Sequence, residues 1–217
     1  MSNRPTILVM PTNKKTSQLN HPIVNQSFAI IDREVGEHNL SAFEYAIARR
    51  VIHATADFDY LQLLRFSPRS IDSGIDNLRR GVPIVTDVTM VKQGIRNLVA
   101  KTFNNPIISA VEQADVADSG KTLTQTGLLR CWSQYPQAIY VIGNAPTALL
   151  ALCEQLTYAE TKPGLVIGVP VGFVSVIESK QAISKLNVPQ IIVEGRKGGS
   201  PVAASILNAL LILATEK

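Results

Sequence analysis

Five short stretches of the chain are mainly apolar and show no polar alternation: 82–88, 106–111, 138–143, 164–169 and 189–194. A strand with one face in water alternates apolar and polar residues, whereas a short apolar run marks a strand covered on both faces. Between these runs lie longer segments with helical spacing, at roughly 41–54, 68–80, 90–101, 120–134, 146–157, 175–186 and 200–215. The first of them is preceded by Ser41 with Glu44 three residues on, the spacing of a capping box. Strands alternating with helices predict an α/β fold: a mostly parallel sheet with helices on both faces, a three-layer sandwich. Residues 1–20, rich in Thr, Asn, Lys and Ser, read as a flexible N-terminal arm, and 21–217 as one domain without linker or internal repeat.

Composition fits that picture and removes several function classes. A chain of 217 residues, 46% hydrophobic and 18% charged, buries a full core without disulfides or a structural metal. Cys131 and Cys153 have no CxxC spacing and read as reduced packing residues. His21, His38 and His53 show no metal-ligand spacing, so no metal is expected. The net charge of +4 comes from scattered Lys and Arg without interleaved aromatics, which argues against nucleic acid. The longest apolar stretch, near 207–214, is interrupted by Asn208 and is too short to span a bilayer. The first 18 residues lack the order of a signal peptide. A cytoplasmic protein with no membrane partner is the expectation.

In open parallel sheets, ligands bind beyond the carboxyl ends of the strands. Those ends read Thr86-Asp87, Gly143-Asn144, Pro170-Val171-Gly172 and Gly195-Arg196-Lys197-Gly198-Gly199-Ser200. In the last turn Gly198 and Gly199 allow close backbone approach, Ser200 is placed to cap the final helix, and Arg196 and Lys197 attract carboxylate or phosphate. The turn lacks the Walker order, and no two glycines stand in G-x-G spacing, so nucleotide cofactors lose ground. His53 falls near the end of the capped helix. There the helix terminus and Asp57 favour imidazolium, a good general acid; the competing reading is a histidine that only caps carbonyls. Asp57 and Asp59 read as a solvated turn, and Lys180 in Glu178-Ser179-Lys180 as a surface helix cap rather than a Schiff-base lysine.

Six segments in order carry a resemblance. They are Val51-Ile52-His53-Ala54-Thr55, Asp87-Val88-Thr89-Met90-Val91 with Gly94-Ile95, and Ile142-Gly143-Asn144-Ala145-Pro146-Thr147-Ala148-Leu149. The others are Gly168-Val169-Pro170-Val171-Gly172-Phe173-Val174, Glu178-Ser179-Lys180 and Gly195 to Ser200. Together, across about residues 27–211, the chain resembles the precorrin-8X methylmutases of cobalamin biosynthesis. The resemblance implies a cofactor-free homodimer with clefts near the subunit interface. It implies migration of a methyl group from C-11 to C-12 of a tetrapyrrole, with or without cobalt, as a formal 1,5-sigmatropic shift. It makes His53 the acid. Ser27, Thr55, Thr86, Asp87, Met90, Asn144, Gly172, Arg196, Lys197, Gly198, Gly199 and Ser200 become the expected substrate contacts.

Three positions depart from the family pattern: Val24, Thr89, and Thr122-Leu123-Thr124-Gln125, where the family carries an arginine. Two other readings stay open at this point: a corrinoid carrier without turnover, and an enzyme on a phosphorylated small molecule using the Gly195–Ser200 turn.

Overall fold

The computed structural model describes residues 21–216; the expected arm over 1–20 and Lys217 lie outside the described residues. In chain order the elements are α1 (Pro22–Val35), α2 (Ala42–Thr55), α3 (Tyr60–Leu63), β1 (Leu64–Phe66), α4 (Ser70–Arg79) and β2 (Ile84–Thr86). Next come α5 (Thr89–Lys101), β3 (Ile107–Ser109), a 3-10 turn (Ala110–Gln113), α6 (Leu123–Gln134), β4 (Ile139–Ile142) and α7 (Pro146–Tyr158). β5 (Leu165–Gly168), α8 (Val176–Ser184), β6 (Gln190–Val193) and α9 (Ser200–Glu216) complete the described chain. All five expected strands are present, each trimmed at both ends. α1, α3 and β1 are additions that the hydrophobic pattern did not predict.

The sheet runs β1-β6-β5-β4-β2-β3, parallel throughout except for β1, which pairs antiparallel with β6. Its central strands bury both faces, and successive residues feed opposite layers. Ile139, Val141, Leu165, Ile167, Ile191 and Val193 join the core under α1, α2, α4, α5 and α9. Tyr140, Ile142, Val166 and Ile192 join the core under α6, α7 and α8. This is the expected three-layer sandwich.

α9 is the hub of the first layer: α2, α4 and α5 all pack on it, and thirteen of its 17 residues are buried. A helix apolar on nearly every side is stable only when surrounded. Gly94 of α5 lets it approach closely, since a Cβ there would come within 2.8 Å of the Ala204 Cβ. Asn208 Nδ2 then donates to the Gly94 carbonyl at 3.0 Å. No described helix is long and apolar enough to cross a membrane.

In the other layer Gly127 of α6 lies directly on the 3-10 turn, where an added Cβ would run into the Ala110 carbonyl. Both partners are buried backbone and cannot swing away. Gly127→Ala should therefore destabilise the fold by about 1–3 kcal/mol, the usual range for overpacking, read as a lower urea midpoint at unchanged slope.

The order of strand addition reverses between β2 and β4: β3 is added outside β2, and the chain then returns past it to build β4, β5 and β6. That reversal is the topological switch point, where the crevice of an open α/β sheet normally takes its ligand.

Candidate functional site

His53 owes its position to α2. Ser41 Oγ accepts from the Glu44 N–H at 3.4 Å, and Glu44 Oε2 accepts from the Ser41 N–H at 2.8 Å, so the expected capping box starts the helix. Ile47, Ala48, Val51 and Ile52 fix its rotation by burial and leave His53 on the exposed side. The imidazole meets Phe28 of α1 edge to face, centroids 5.5 Å apart. Arg49 and Arg50 lie over the same Phe28 ring, at 4.5 and 5.6 Å from its centroid. α1 is tied to α2 by Asp32, which accepts from Tyr45 Oη at 2.6 Å and from Arg49 at 2.9 Å. Ser27, half-buried, precedes Phe28 on α1.

The protonation state differs from expectation. Burial first, and then the Arg50 cation, lower the proton affinity of His53 below its ordinary value. Arg50 stands three residues earlier, on the same helical face. Asp57, expected to offset it, is engaged elsewhere. Its carboxylate receives Lys197 Nζ at 2.6 Å, while Asp59 receives the same ammonium at 2.7 Å. The lysine bond holds Asp57 below the usual carboxylate range. These two aspartates therefore form a clamp on Lys197 rather than a solvated turn. Thr55 takes a local part: its hydroxyl donates to the Val51 carbonyl at 2.9 Å and accepts from the Asp57 N–H at 3.3 Å. Ala56 then turns the chain away with φ 54°.

The clamp links α2 to the glycine turn after β6. Gly198, at φ 148°, lies against the Val169–Pro170 backbone so tightly that any Cβ would collide with the Val169 carbonyl. The Gly199 N–H donates to that carbonyl at 2.9 Å, and the Gly172 N–H donates to the Arg196 carbonyl at 3.3 Å. The turns after β5 and β6 are thus one unit. α9 begins at Ser200 itself, so Ser200 is not the cap; Gly199 precedes the helix and its carbonyl accepts the Ala203 N–H at 3.0 Å. Lys180 is also not at the surface. It is 2% exposed, and its ammonium donates to the carbonyls of Gly195 at 2.9 Å and Lys197 at 2.6 Å.

At the switch point the expected crevice is filled from within. Asp87 is fully buried, and its carboxylate accepts from the N–H groups of Val88 at 2.9 Å, Asn144 at 2.6 Å and Ala145 at 2.8 Å. Burial pushes its proton affinity up, and these donors pull it back. Thr86 is likewise fully buried, its hydroxyl turned to the Ile108 carbonyl at 3.5 Å. The Thr86 and Asp87 side chains, expected at the substrate, are both buried and hydrogen-bonded inside the protein. Gly143 brings the β4 turn onto the start of α9, since a Cβ there would lie 2.9 Å from Ser200 Cα. Asn144 stays exposed on that rim.

Apolar side chains are exposed on the segments after β2 and β5: Met90 on the first, and Val171, Phe173 and Val174 on the second, Phe173 by 85%. The Arg196 guanidinium sits 5.7 Å over the Phe173 ring. Two cavities lie away from these side chains: one of about 310 Å³ between the starts of α2 and α4, one of about 240 Å³ beside Tyr135 and Pro136. Among the described residues no three His, Cys, Asp or Glu side chains converge as a metal site.

Structure adds four residues that sequence reasoning did not place here: Phe28, Arg50, Tyr60 and Lys180. For Arg50 the signal was present, as the position three before His53 on one helix. The other three act across long sequence separations.

These features define an open α/β protein whose turns beyond the carboxyl ends of the parallel strands gather polar, cationic and glycine residues, over a plugged switch point. The chain belongs to the precorrin-8X methylmutase (CbiC) family, whose sequence profile matches residues 22–213. It is 61% identical to the cobalt-precorrin-8 methylmutase of Synechocystis sp., with 90% of this chain and 97% of that protein covered. It is 39% identical to the precorrin-8X methylmutase of Pseudomonas aeruginosa, covering 90% and 95% respectively. Among solved structures, the precorrin-8x methyl mutase of Thermus thermophilus superposes with a TM-score of 0.84 at 38% identity, over 89% of this chain and 96% of that one. These relatives are named as enzymes, which lends nothing to the carrier reading.

Proposed function

We propose that this isomerase moves a methyl group from C-11 to C-12 of cobalt-precorrin-8 or precorrin-8X in cobalamin biosynthesis. The observation that carries the reading is the 61% identity to a protein named cobalt-precorrin-8 methylmutase, over almost its whole length. The site is compatible in chemistry. A substrate with several carboxylates suits the cationic rim, where Arg196 is exposed and Arg49 and Arg50 flank His53. Its flat macrocycle suits the exposed apolar side chains after β5, Val171, Phe173 and Val174.

The reaction needs no donor. The carbon–carbon bond at C-11 breaks as the bond at C-12 forms, with no net oxidation. His53 lends a proton to a ring nitrogen, which makes the π-system electron-poor and lowers the migration barrier, and recovers it afterwards. In the free protein His53 is held neutral by burial and Arg50. Carboxylates of the bound substrate supply the opposite charge that favours the imidazolium. The remaining contribution is to hold a flexible polyacid in one geometry. Asn144, Arg196 and Ser200 are the proposed grip, on turns shaped by Gly172, Gly198 and Gly199, with Ser27, Thr55 and Met90 at its margin.

The active unit is proposed to be a homodimer, as the resemblance of the six segments implies, located in the cytoplasm, as expected from the sequence. Sedimentation equilibrium at twice the chain mass is the expected result; a monomer at micromolar concentration refutes it.

The test of function is visible spectroscopy of purified protein with precorrin-8X and with its cobalt form. Methyl migration changes the conjugated system, so the spectrum should convert to that of the corrin at catalytic protein levels. An unchanged spectrum with both forms sinks the proposal.

A pH dependence follows from the free protein. Because His53 has a lowered proton affinity, kcat/KM should rise as pH falls below neutral, through and beyond the ordinary histidine value of about 6.5. Arg50→Gln removes one of the two lowering causes and should move that limb to higher pH. A limb that stays in place in this variant disproves the coupling.

A further inference from the structure

The Glu178-Ser179-Lys180 segment has no part in the chemistry above, and its lysine is the most deeply buried ammonium among the described residues. Buried lysines ordinarily pair with a carboxylate. Lys180 instead donates to two carbonyls of the turn after β6, those of Gly195 and Lys197.

The consequence lies in the peptide planes. Every peptide bond in the described chain is trans, so the carbonyl of one residue and the N–H of the next point in opposite directions. With the Lys197 carbonyl on the ammonium, the Gly198 N–H faces the other way, on the side of the Tyr60 hydroxyl. With the Gly195 carbonyl on the ammonium, the Arg196 N–H points away from Lys180, and Arg196 itself is exposed. The Lys197 side chain leaves the same turn toward Asp57 and Asp59, just past His53 in the chain. The turn is therefore pulled from behind by Lys180 and from the front by Tyr60, Asp57 and Asp59.

We infer that Lys180 is a positioning residue for the proposed reaction: by drawing the Gly195 and Lys197 carbonyls inward it sets the height of the glycine turn relative to His53 and presents the Arg196 amide to a substrate carboxylate. This rests on the reading under Proposed function. The arrangement is charge-dependent, because a neutral amine binds carbonyls less strongly than an ammonium does. Burial alone lowers Lys180 to about 8. Around it, Glu178 and Lys185 lie on or at the end of its own helix, Cys153 and Glu154 on α7, and Glu194, Arg196 and Lys197 on the chain after β6. Of these, Cys153 is pushed up to about 12, Glu194 pairs with Arg65, and Lys197 is held protonated by its two aspartates.

The test uses the full chain with cobalt-precorrin-8 as substrate, and the corrin product as a binding probe. Wild type should lose affinity for both as pH rises through about 8, with kcat changing little. Lys180→Gln and Lys180→Met should raise KM by roughly tenfold or more at neutral pH, from loss of two charge-assisted bonds, and should lack the alkaline limb. Variants that fold normally and keep the wild-type KM and pH profile overturn the proposal. Variants with a lower melting temperature but an unmoved alkaline limb assign the lysine a purely structural role and also overturn it. If neither variant folds, wild type decides: no loss of affinity between pH 7 and 9 refutes the inference. A wild type that neither turns over nor binds fails the functional reading itself, which is a different outcome.

Discussion

His53→Ala should fold as well as the parent and lose turnover by roughly 100- to 10,000-fold, the contribution of a positioned general acid. The fold has little at stake in this side chain. It is exposed, and its described ring contact is the edge of Phe28. Binding of the corrin product should be retained within a few-fold, because the proposed grip lies on the strand-end turns. Linkage gives a second readout with a definite sign. A histidine whose folded-state proton affinity is lowered favours the folded state fully above about pH 6.5. That contribution is lost as pH falls through the folded value. The alanine variant should therefore lose less stability than the parent between neutral pH and pH 5. Full activity in the variant removes His53 from the mechanism.

Asp87→Ala should have the largest effect on stability. The carboxylate is fully buried, and its loss strands the N–H groups of Val88, Asn144 and Ala145. Each buried donor left without an acceptor costs about 1–3 kcal/mol, so three of them cost about 3–9 kcal/mol before any rescue by water. A domain of ordinary stability has about 5–15 kcal/mol in all, and the variant should stand close to unfolding at 37 °C. Asp87→Asn is the informative companion. Its one carbonyl oxygen can serve part of the set, but its NH2 group faces donors, so an intermediate loss is expected. Urea denaturation measures both. An alanine variant within 1 kcal/mol of the parent would mean that water replaces the carboxylate and that the switch point is not held by it.

Much of this architecture was readable because each central strand is a compact apolar run: Ile139 to Ile142, Leu165 to Gly168 and Gln190 to Val193 are buried on both sides. The capping box of α2 is local and appears as written. β1 was illegible because three residues with a charged centre, Leu64-Arg65-Phe66, give no period, and its partner β6 lies far along the chain. α1 was missed although its stripe is visible in hindsight: Val24, Phe28, Ile31 and Val35 are spaced for one helical face, with Pro22 at the start and Gly36 after the end. Only Phe28 and Ile31 of that stripe are buried outright, which made the signal weak.

At the strand ends, the polar and glycine-rich turns were legible and their electrostatics were not. Asp57 looked available to His53, and nothing local announced a lysine 140 residues away. Lys180 looked solvated because its neighbours in sequence are polar, yet the carbonyls that hold it lie 15 and 17 residues further on. Thr86 and Asp87 ended a strand in the right place and then turned inward, a choice set by the reversal in strand order and not by residue type.

The burial of α9 also orders events during synthesis. All six strands precede it in the chain, and α2, α4 and α5 close their layer only by packing on it. A nascent chain that has just released β6 therefore carries a complete set of strands with one greasy side uncovered, an aggregation-prone intermediate. Translation speed near the α9 codons, and chaperone access at that moment, should govern the yield of soluble protein. Deleting α9 should give insoluble chains and not a smaller folded core.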